Sequence, residues 1–205
     1  MKALSNSLPR PLKNRVQLLR HKLIDKFVFI HINKTGGTSV ANALNIPTIH
    51  RTALEKMSEL GRHEWDRRFT FAVVRNPWDK VVSHYYYRVQ TDQTDLGKGR
   101  IDFKDWVRLT YGEKDPTYYN KPKMFMPQIN WVADESGELM VDYICRFESL
   151  TSDFEEVCAR LKFEASLPHL KSSKRGSYKD YYDSATRAII EDWFAKDIEH
   201  FHYTF

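Results

Sequence analysis

A loop near the start of the chain combines a lysine, two glycines and several hydroxyl side chains in a pattern typical of phosphate binding. It spans residues 33–39, Asn-Lys-Thr-Gly-Gly-Thr-Ser, and follows an apolar run. Gly36 and Gly37 let the backbone approach an anion closely, because they lack a Cβ and tolerate positive φ. Lys34 adds a full charge, and a helix starting here would direct free N–H groups at the same anion. The hydroxyl donors of the loop are Thr35, Thr38 and Ser39.

The order of residues in this loop differs from that of the nucleotide-triphosphate P-loop. In G-x-x-x-x-G-K-[ST], the lysine follows the glycines and precedes the hydroxyl residue that holds magnesium. Lys34 precedes both glycines, so the loop is not expected to bind a metal-bridged triphosphate. A tight turn with a Thr or Ser that caps the next helix is the alternative interpretation.

A second segment, Arg75-Asn76-Pro77-Trp78, lies where another apolar run passes into a helical pattern. An arginine at the carboxyl end of a parallel strand points into the crevice where such sheets bind ligands. Ser83 follows two helical turns later and is placed to face the same side. Arginine offers a bidentate contact to phosphate, although Arg75 could instead bond backbone carbonyls inside the fold.

Hydrophobic patterning predicts the elements that position these two turns. Apolar runs at 27–32, 69–74 and 141–147 indicate buried strands. Helices are predicted at about 12–23, 38–44, 53–60, 78–89, 103–111, 153–161 and 184–196, with loops at 91–100 and 171–176. Strands that alternate with helices favour a single α/β domain with a central, mostly parallel sheet flanked by helices. We assign this domain to residues 27–205 and a basic arm to residues 1–26.

Composition excludes several classes of protein. The chain has 205 residues, 41% of them hydrophobic, and a net charge of +5. The arm holds seven basic residues and one acid, so the rest carries −1, which argues against a nucleic-acid partner. No apolar run approaches the roughly 20 residues of a membrane span. Two cysteines provide neither a disulfide framework nor a metal site, which favours a reducing, cytoplasmic location and no bound metal.

The two turns in combination resemble a known family. FVFIHINKTGGTSV and FAVVRNPWDKVVSHY are similar to motifs of the sulfotransferases that use 3′-phosphoadenosine 5′-phosphosulfate (PAPS), in particular the carbohydrate-type group with bacterial members. The resemblance continues to the C-terminus and implies a P-loop-like sulfotransferase fold over nearly all of 27–205. Asn33 stands where many members have proline before the lysine.

The resemblance implies which residues bind the donor. The expected 5′-phosphosulfate loop consists of Lys34, Thr35, Gly36, Gly37, Thr38 and Ser39. Arg75 and Ser83 would hold the 3′-phosphate, and Arg175 with Tyr178 would close over the 3′-phosphate and the adenine. Adenosine 3′,5′-bisphosphate would be the product, and no metal is required. Lys34 would also stabilise charge on the departing phosphate oxygen, as in other in-line displacements.

The expected acceptor is a hydroxyl group of a carbohydrate or glycoconjugate, and its proton needs a base. We predict His50 for this role, because related proteins commonly carry a histidine at this position. A surface or capping histidine is the alternative interpretation. His84 and Glu55 are the reserve candidates for the base, and Gln128 is a candidate contact to the acceptor.

Two other functions compete with sulfuryl transfer. A nucleotide kinase-like enzyme would use the same sheet edge for phosphate transfer, although the loop lacks the Walker order. A non-enzymatic anion-binding module would use the basic arm, residues 1–26, whose short amphipathic helix fits peripheral membrane contact. Packing of the arm's apolar residues Leu12, Val16, Leu19 and Leu23 on the domain is the favoured interpretation of that helix.

Overall fold

The computed structural model describes Leu19 and residues 24–99, 101–167 and 176–205, and these contain a three-stranded sheet in the order β1-β2-β3. The strands are β1 Phe27–Ile30, β2 Phe69–Val74 and β3 Tyr143–Arg146. β1 and β2 pair in parallel, with Phe27 opposite Phe69 and Ile30 opposite Ala72. All three predicted strands form, and the predicted α/β fold class is confirmed.

Along the sequence, helices alternate with the three strands. The helices are α1 Gly37–Ala43, α2 Ala53–Leu60, α3 Arg62–Asp66, α4 Pro77–Gln90, α5 Phe103–Val107, α6 Pro122–Phe125, α7 Ile129–Val132, α8 Leu150–Leu161, α9 Ser184–Trp193 and α10 Ala195–Phe201. Three short 3₁₀ helices at Gln93–Lys98, Phe147–Ser149 and Tyr178–Tyr181 and a π-helix at Arg108–Gly112 complete the regular structure of the described residues. None of these helices is long and apolar enough to cross a membrane.

Helix α4 begins where its sequence predicts. The Asn76 side chain accepts hydrogen bonds from the N–H groups of Trp78 (3.1 Å) and Asp79 (3.4 Å), and Pro77 occupies the first helical position. Such a cap satisfies N–H groups that have no partner within the helix, and proline has no N–H to satisfy there. The start of α4, directly after β2, is therefore fixed by the Asn-Pro pair.

The predicted loop at 91–100 contains short 3₁₀ turns within Gln93–Lys98, which are interrupted by the positive φ of Thr94 and Asp95. Leu96 is buried in an apolar cluster. Burial of this side chain stabilises turns that the polar composition of the segment does not predict. The predicted helix at 184–196 is in fact two helices, because the chain breaks at the buried Phe194. The predicted helix at 103–111 passes from α to π geometry after Val107.

The chain divides into two compact units. Among the described residues, the first comprises Leu19 and residues 24–32, 36–73 and 131–167, and the second comprises residues 33–35, 74–99, 101–130 and 176–205. The core of the first unit includes Phe29, Phe71, Cys145 and Phe154. The core of the second includes Trp78, Trp106, Phe125 and Phe194.

Two predicted segments lie largely outside the described residues. Of the predicted helix at 12–23, only Leu19 is described, and its side chain is 59% exposed, so its expected burial is not observed. Of the basic loop at 171–176, only Gly176 is described, and Arg175 lies outside the described residues.

Candidate active site

The loop after β1 needs glycine at Gly36 for two separate reasons. The residue has φ 83°, in the left-handed region, and a Cβ there would lie 2.9 Å from Leu150 Cδ2. Lys34, two residues earlier, also has a positive φ of 65°, a conformation that costs a non-glycine residue about 1 kcal/mol or more. Thr35 between them is buried. The sequence predicts tolerance of positive φ at both glycines, and the structure uses it at Gly36, whereas Gly37 begins helix α1.

Gly37, the first residue of α1, is required by a histidine ring. A Cβ at this position would lie 2.3 Å from Cδ2 of His31, so no larger residue fits without moving the ring. After it, Thr38 is exposed and Ser39 is half-buried, and the Ser39 N–H donates to the Gly36 carbonyl at 3.0 Å. The hydroxyl groups of this part of the loop therefore lie at the surface of the first unit.

His31 and His50, which we call the histidine pair, lie in contact in the first unit. Their ring centroids are 4.4 Å apart, and His50 Nδ1 lies 2.8 Å from the His31 carbonyl oxygen. A carbonyl can only accept, so Nδ1 of His50 carries the proton and donates it. In the neutral ring, this places the lone pair of His50 on Nε2. The predicted base therefore has one nitrogen fixed by the backbone and the other available to accept a proton.

The His31 ring is held neutral between its neighbours. Burial lowers the pKa of His31 to about 3, and the adjacent His50 adds to the lowering. Its ring stacks on Phe29 with centroids 5.6 Å apart. His31 is therefore a rigid support for His50 and Gly37 at neutral pH.

Arg75, at the second turn, is buried and already has partners. Its Nε and Nη2 contact Asp79 Oδ2 at 2.8 and 2.7 Å. Its Nη1 donates to the Lys34 carbonyl at 3.0 Å. The structure therefore brings the two predicted anion-binding turns together at Lys34 and Arg75, within the second unit. It also shows the alternative role of Arg75, that of bonding a backbone carbonyl.

Gln128 is part of the support of Arg75. Its Oε1 accepts from the Arg75 N–H at 2.9 Å, and its Nε2 donates to the Arg75 carbonyl at 2.8 Å. The backbone N–H groups of Gln128 and Ile129 both donate to the carboxylate of the buried Asp197. With no exposed surface, Gln128 does not contact an acceptor, and this prediction is wrong. Both polar atoms of its side chain form hydrogen bonds with the Arg75 backbone.

Lys34, Arg75 and Lys80, which we call the cationic cluster, lie near one another in the second unit. Lys34 Nζ lies 4.1 Å from the centroid of the Tyr87 ring, which is partly exposed. Lys34 and Arg75 both lie close enough to Lys80 to disfavour its charge. Lys80 was not among the predicted site residues, although it belongs to the motif RNPWDK that contains Arg75.

Two further residues that are predicted to contact PAPS, Ser83 and Tyr178, lie in the second unit. Ser83 is half-buried on α4, one turn after Asp79. The Tyr178 hydroxyl accepts from Asn76 Nδ2 at 3.4 Å, so Tyr178 lies beside the turn that contains Arg75. The described residues contain no cluster of His, Cys, Asp or Glu side chains that could hold a metal ion.

Comparison with known proteins assigns the family. A family model described as "Sulfotransferase family" matches residues 22–204. The chain belongs to the sulfotransferase family. This sulfotransferase is also similar to a crystal structure of a sulfotransferase from Alicyclobacillus acidocaldarius, with 13% sequence identity and a TM-score of 0.44 over 88% of this chain and 97% of that one. No curated protein matches the chain significantly.

The family assignment supports sulfuryl transfer as the reaction of this sulfotransferase, and such a reaction needs an accessible base. Of the reserve candidates, His84 does not meet this need, whereas Glu55 is partly exposed and stays a candidate. His84 is buried against Phe125, with ring centroids 4.8 Å apart, and burial holds its pKa well below the ordinary value. The Glu55 carboxylate accepts from the Thr52 N–H at 2.8 Å, in the capping box of α2. Of the three candidates, only His50 combines partial exposure with a fixed tautomer.

Proposed function

We propose that this sulfotransferase transfers the sulfuryl group of PAPS to a hydroxyl of a carbohydrate or glycoconjugate and releases adenosine 3′,5′-bisphosphate. The family assignment supports the reaction type. The donor and the acceptor class come from the resemblance of the two turns to the PAPS-dependent, carbohydrate-type enzymes.

The hydrogen bond between Arg75 Nη1 and the Lys34 carbonyl is the observation that carries the proposal. The donor has two anionic ends, so its binding requires two cationic turns in a fixed relation. Arg75 provides this relation, because its guanidinium is held by Asp79 and in turn holds the Lys34 backbone. A protein that bound a single phosphate would not need this connection.

The residues of the loop fit a phosphosulfate. Gly36 has a positive φ, and residues in this left-handed conformation occur in the backbone concavities that bind anions. Thr35 to Ser39 would wrap the 5′-phosphosulfate, and Arg75 and Ser83 would hold the 3′-phosphate. Tyr178 and Arg175 would complete the nucleotide site, the former beside Asn76.

PAPS supplies the activated sulfuryl group, and the chain supplies charge and a base. Lys34 would stabilise the negative charge that grows on the departing phosphate oxygen. Its ammonium lies 4.1 Å from the centroid of the Tyr87 ring, a cation–π contact.

His50 would accept the proton of the acceptor hydroxyl at Nε2. The hydrogen bond from Nδ1 to the His31 carbonyl fixes the ring and disperses the positive charge that forms on it. As the hydroxyl oxygen bonds to sulfur, its proton passes to His50, and the bond between sulfur and the phosphate oxygen breaks.

The test is a transfer assay with ³⁵S-labelled PAPS against a panel of glycans and small hydroxylated metabolites, paired with thermal unfolding in the presence of nucleotides. We expect adenosine 3′,5′-bisphosphate to raise the Tm, since it binds only the folded chain. We expect Lys34→Ala and Arg75→Ala each to reduce this shift. Stabilisation by ATP with magnesium, and none by the bisphosphate, would favour the kinase-like alternative and overturn the proposal.

A further inference from the structure

Helix α4 carries three consecutive tyrosines, of which the first two are packed and the third is exposed. Tyr85 contacts the ring of Phe103, with centroids 5.5 Å apart, and Tyr86 contacts the ring of Tyr181 at the same distance. Both are half-buried, whereas Tyr87 is 44% exposed. Since a side chain that stays exposed contributes little to stability by burial, the role of Tyr87 depends on the contact that it makes.

The ring of Tyr87 contacts the charged end of Lys34. The Lys34 ammonium lies 4.1 Å from the centroid of the ring, well within the distance of about 6 Å at which an aromatic face attracts a cation. Such a face attracts the ammonium without adding an opposite charge, so the lysine keeps its net charge. Both residues belong to the second unit.

The same face of α4 also holds the backbone of Lys34. Asp79, Ser83 and Tyr87 recur at intervals of four residues, so they lie on one face of the helix. Asp79 pairs with the Arg75 guanidinium at 2.7 Å, and Arg75 donates to the Lys34 carbonyl at 3.0 Å. Lys34 is therefore attached to this face at two points, its carbonyl through Arg75 and its ammonium through Tyr87.

We propose that Tyr87 is a positioning residue, which holds the Lys34 ammonium in the orientation that stabilises the departing phosphate oxygen of the donor. The inference rests on the proposed function, in which Lys34 has that role. Lysine has a long, flexible side chain, and ordering it costs conformational entropy. The Tyr87 ring orders the ammonium before the reaction, and a charge that is already in place needs no rearrangement as the transition state forms.

Two other roles of Tyr87 make different predictions. If the ring only covers the surface, its replacement changes the Tm and leaves the properties that depend on Lys34 unchanged. If the ring holds the ammonium away from the nucleotide, its replacement tightens nucleotide binding. A positioning role requires that replacement weakens nucleotide binding and turnover, and that it does so only while Lys34 is present.

The experiment is a double-mutant cycle of Lys34→Ala and Tyr87→Leu in the full chain. The dissociation constant of adenosine 3′,5′-bisphosphate is measured by calorimetric titration, and kcat and KM for PAPS are measured with an acceptor identified in the transfer assay. We expect Tyr87→Leu to weaken bisphosphate binding and to lower kcat by about two- to fivefold, the range of an exposed cation–π contact. KM should change less, because charge on the phosphate oxygen appears only as its bond to sulfur breaks. In the Lys34→Ala background, Tyr87→Leu should have no further effect.

Tyr87→Phe is the matched control, because phenylalanine keeps the aromatic face and removes only the hydroxyl. We expect it to retain the bisphosphate affinity and the kcat of the unsubstituted protein. Equal effects of Tyr87→Leu with and without Lys34, tighter bisphosphate binding by Tyr87→Leu, or a loss of affinity in Tyr87→Phe would each overturn the inference. Absence of bisphosphate binding to the unsubstituted protein would instead contradict the proposed function.

Discussion

The histidine pair and the cationic cluster solve different electrostatic problems. His31 is kept neutral by burial, and its carbonyl fixes the proton of His50. The cationic cluster gathers Lys34, Arg75 and Lys80, and Arg75 forms an ion pair with Asp79. In the proposed function, the histidine pair would move a proton and the cationic cluster would attract an anion.

This difference teaches how much a single polar contact decides the role of a residue. A backbone carbonyl on Nδ1 leaves Nε2 of His50 for the proposed role of base, whereas the buried His84, packed on Phe125, is part of an aromatic core. Asp79 holds the Arg75 guanidinium through an ion pair, whereas the buried Lys80 is attracted by the more distant charge of Asp197.

The largest expected effect is on turnover and concerns the histidine pair alone. His50→Ala removes the proposed base, and we expect kcat to fall by about 10²–10⁴-fold. Binding of adenosine 3′,5′-bisphosphate should not change, since the cationic cluster is intact. The measurement is kcat with an acceptor identified in the transfer assay, together with the bisphosphate dissociation constant.

His50→Gln is the control for this prediction, because its amide can still donate to the His31 carbonyl but is not a base. We expect it to fold as well as the unsubstituted protein and to be as inactive as His50→Ala. Near-normal turnover in either variant would show that another group accepts the proton.

The second prediction concerns Asp79, the carboxylate that pairs with Arg75. Asp79→Asn leaves the buried Arg75 guanidinium without its ion pair, whose side chains are 8% and 16% exposed. Breaking such a pair costs about 3 kcal/mol, and the free energy of unfolding measured in urea should fall by that amount. The bisphosphate should restore part of the loss, because its phosphate replaces the missing anion.

Asp105→Asn is the control, because it breaks an arginine–aspartate pair on the surface, spaced i, i+3, whereas Arg75 and Asp79 are spaced i, i+4. Both Asp105 and Arg108 are more than half exposed, and such pairs contribute less than about 1 kcal/mol. Equal destabilisation by the two substitutions would show that burial of the Arg75–Asp79 ion pair does not increase its contribution to the free energy of unfolding.

The sequence predicts the local part of this fold well. The apolar runs of β1 and β2 and the Asn-Pro start of α4 are short-range signals, and each forms close to its predicted bounds. The short 3₁₀ turns within Gln93–Lys98 are not predicted, because Leu96 is held in a cluster whose members come from several parts of the sequence. Polar composition indicates a loop but does not reveal such an anchor.

The candidate site shows the same limit. The loop glycines and Arg75 are visible as motifs, and the resemblance to sulfotransferases adds His50. The carbonyl of His31 and the burial of Lys80 depend on tertiary packing, which no spacing rule reports. Gln128 was misread for the same reason, since only the structure shows that its amide is used by the Arg75 backbone.

The third prediction is a pH dependence that belongs to the histidine pair. The folded pKa of His31 is about 3, against 6.5 for the free side chain. The unfolded chain therefore binds a proton that the folded chain does not, and stability present above pH 6.5 is lost as the pH falls towards 3. One such group changes the free energy of unfolding by about 1.4 kcal/mol per pH unit in this range.

His31→Gln should reduce this slope by one proton, measured from urea unfolding at a series of pH values between 6.5 and 4. The slope should not vanish, because burial lowers the pKa of His84 in the same direction. An unchanged slope would mean that His31 is protonated in the folded protein, and the neutral support proposed for His50 would be lost.

The smallest expected effect concerns the backbone that holds Lys34 in place, and not the charges of the cationic cluster. Asn33 precedes Lys34, and its Nδ2 donates to the Met124 carbonyl at 2.9 Å. Asn33→Ala removes this bond, which contributes about 1 kcal/mol, and releases the backbone that holds Lys34 at positive φ. We expect a severalfold loss of bisphosphate affinity with no change in the pH dependence of unfolding, because the histidine pair is unaffected. If instead the affinity stays constant while stability falls, the loop is held by Arg75 alone, through its bond to the Lys34 carbonyl.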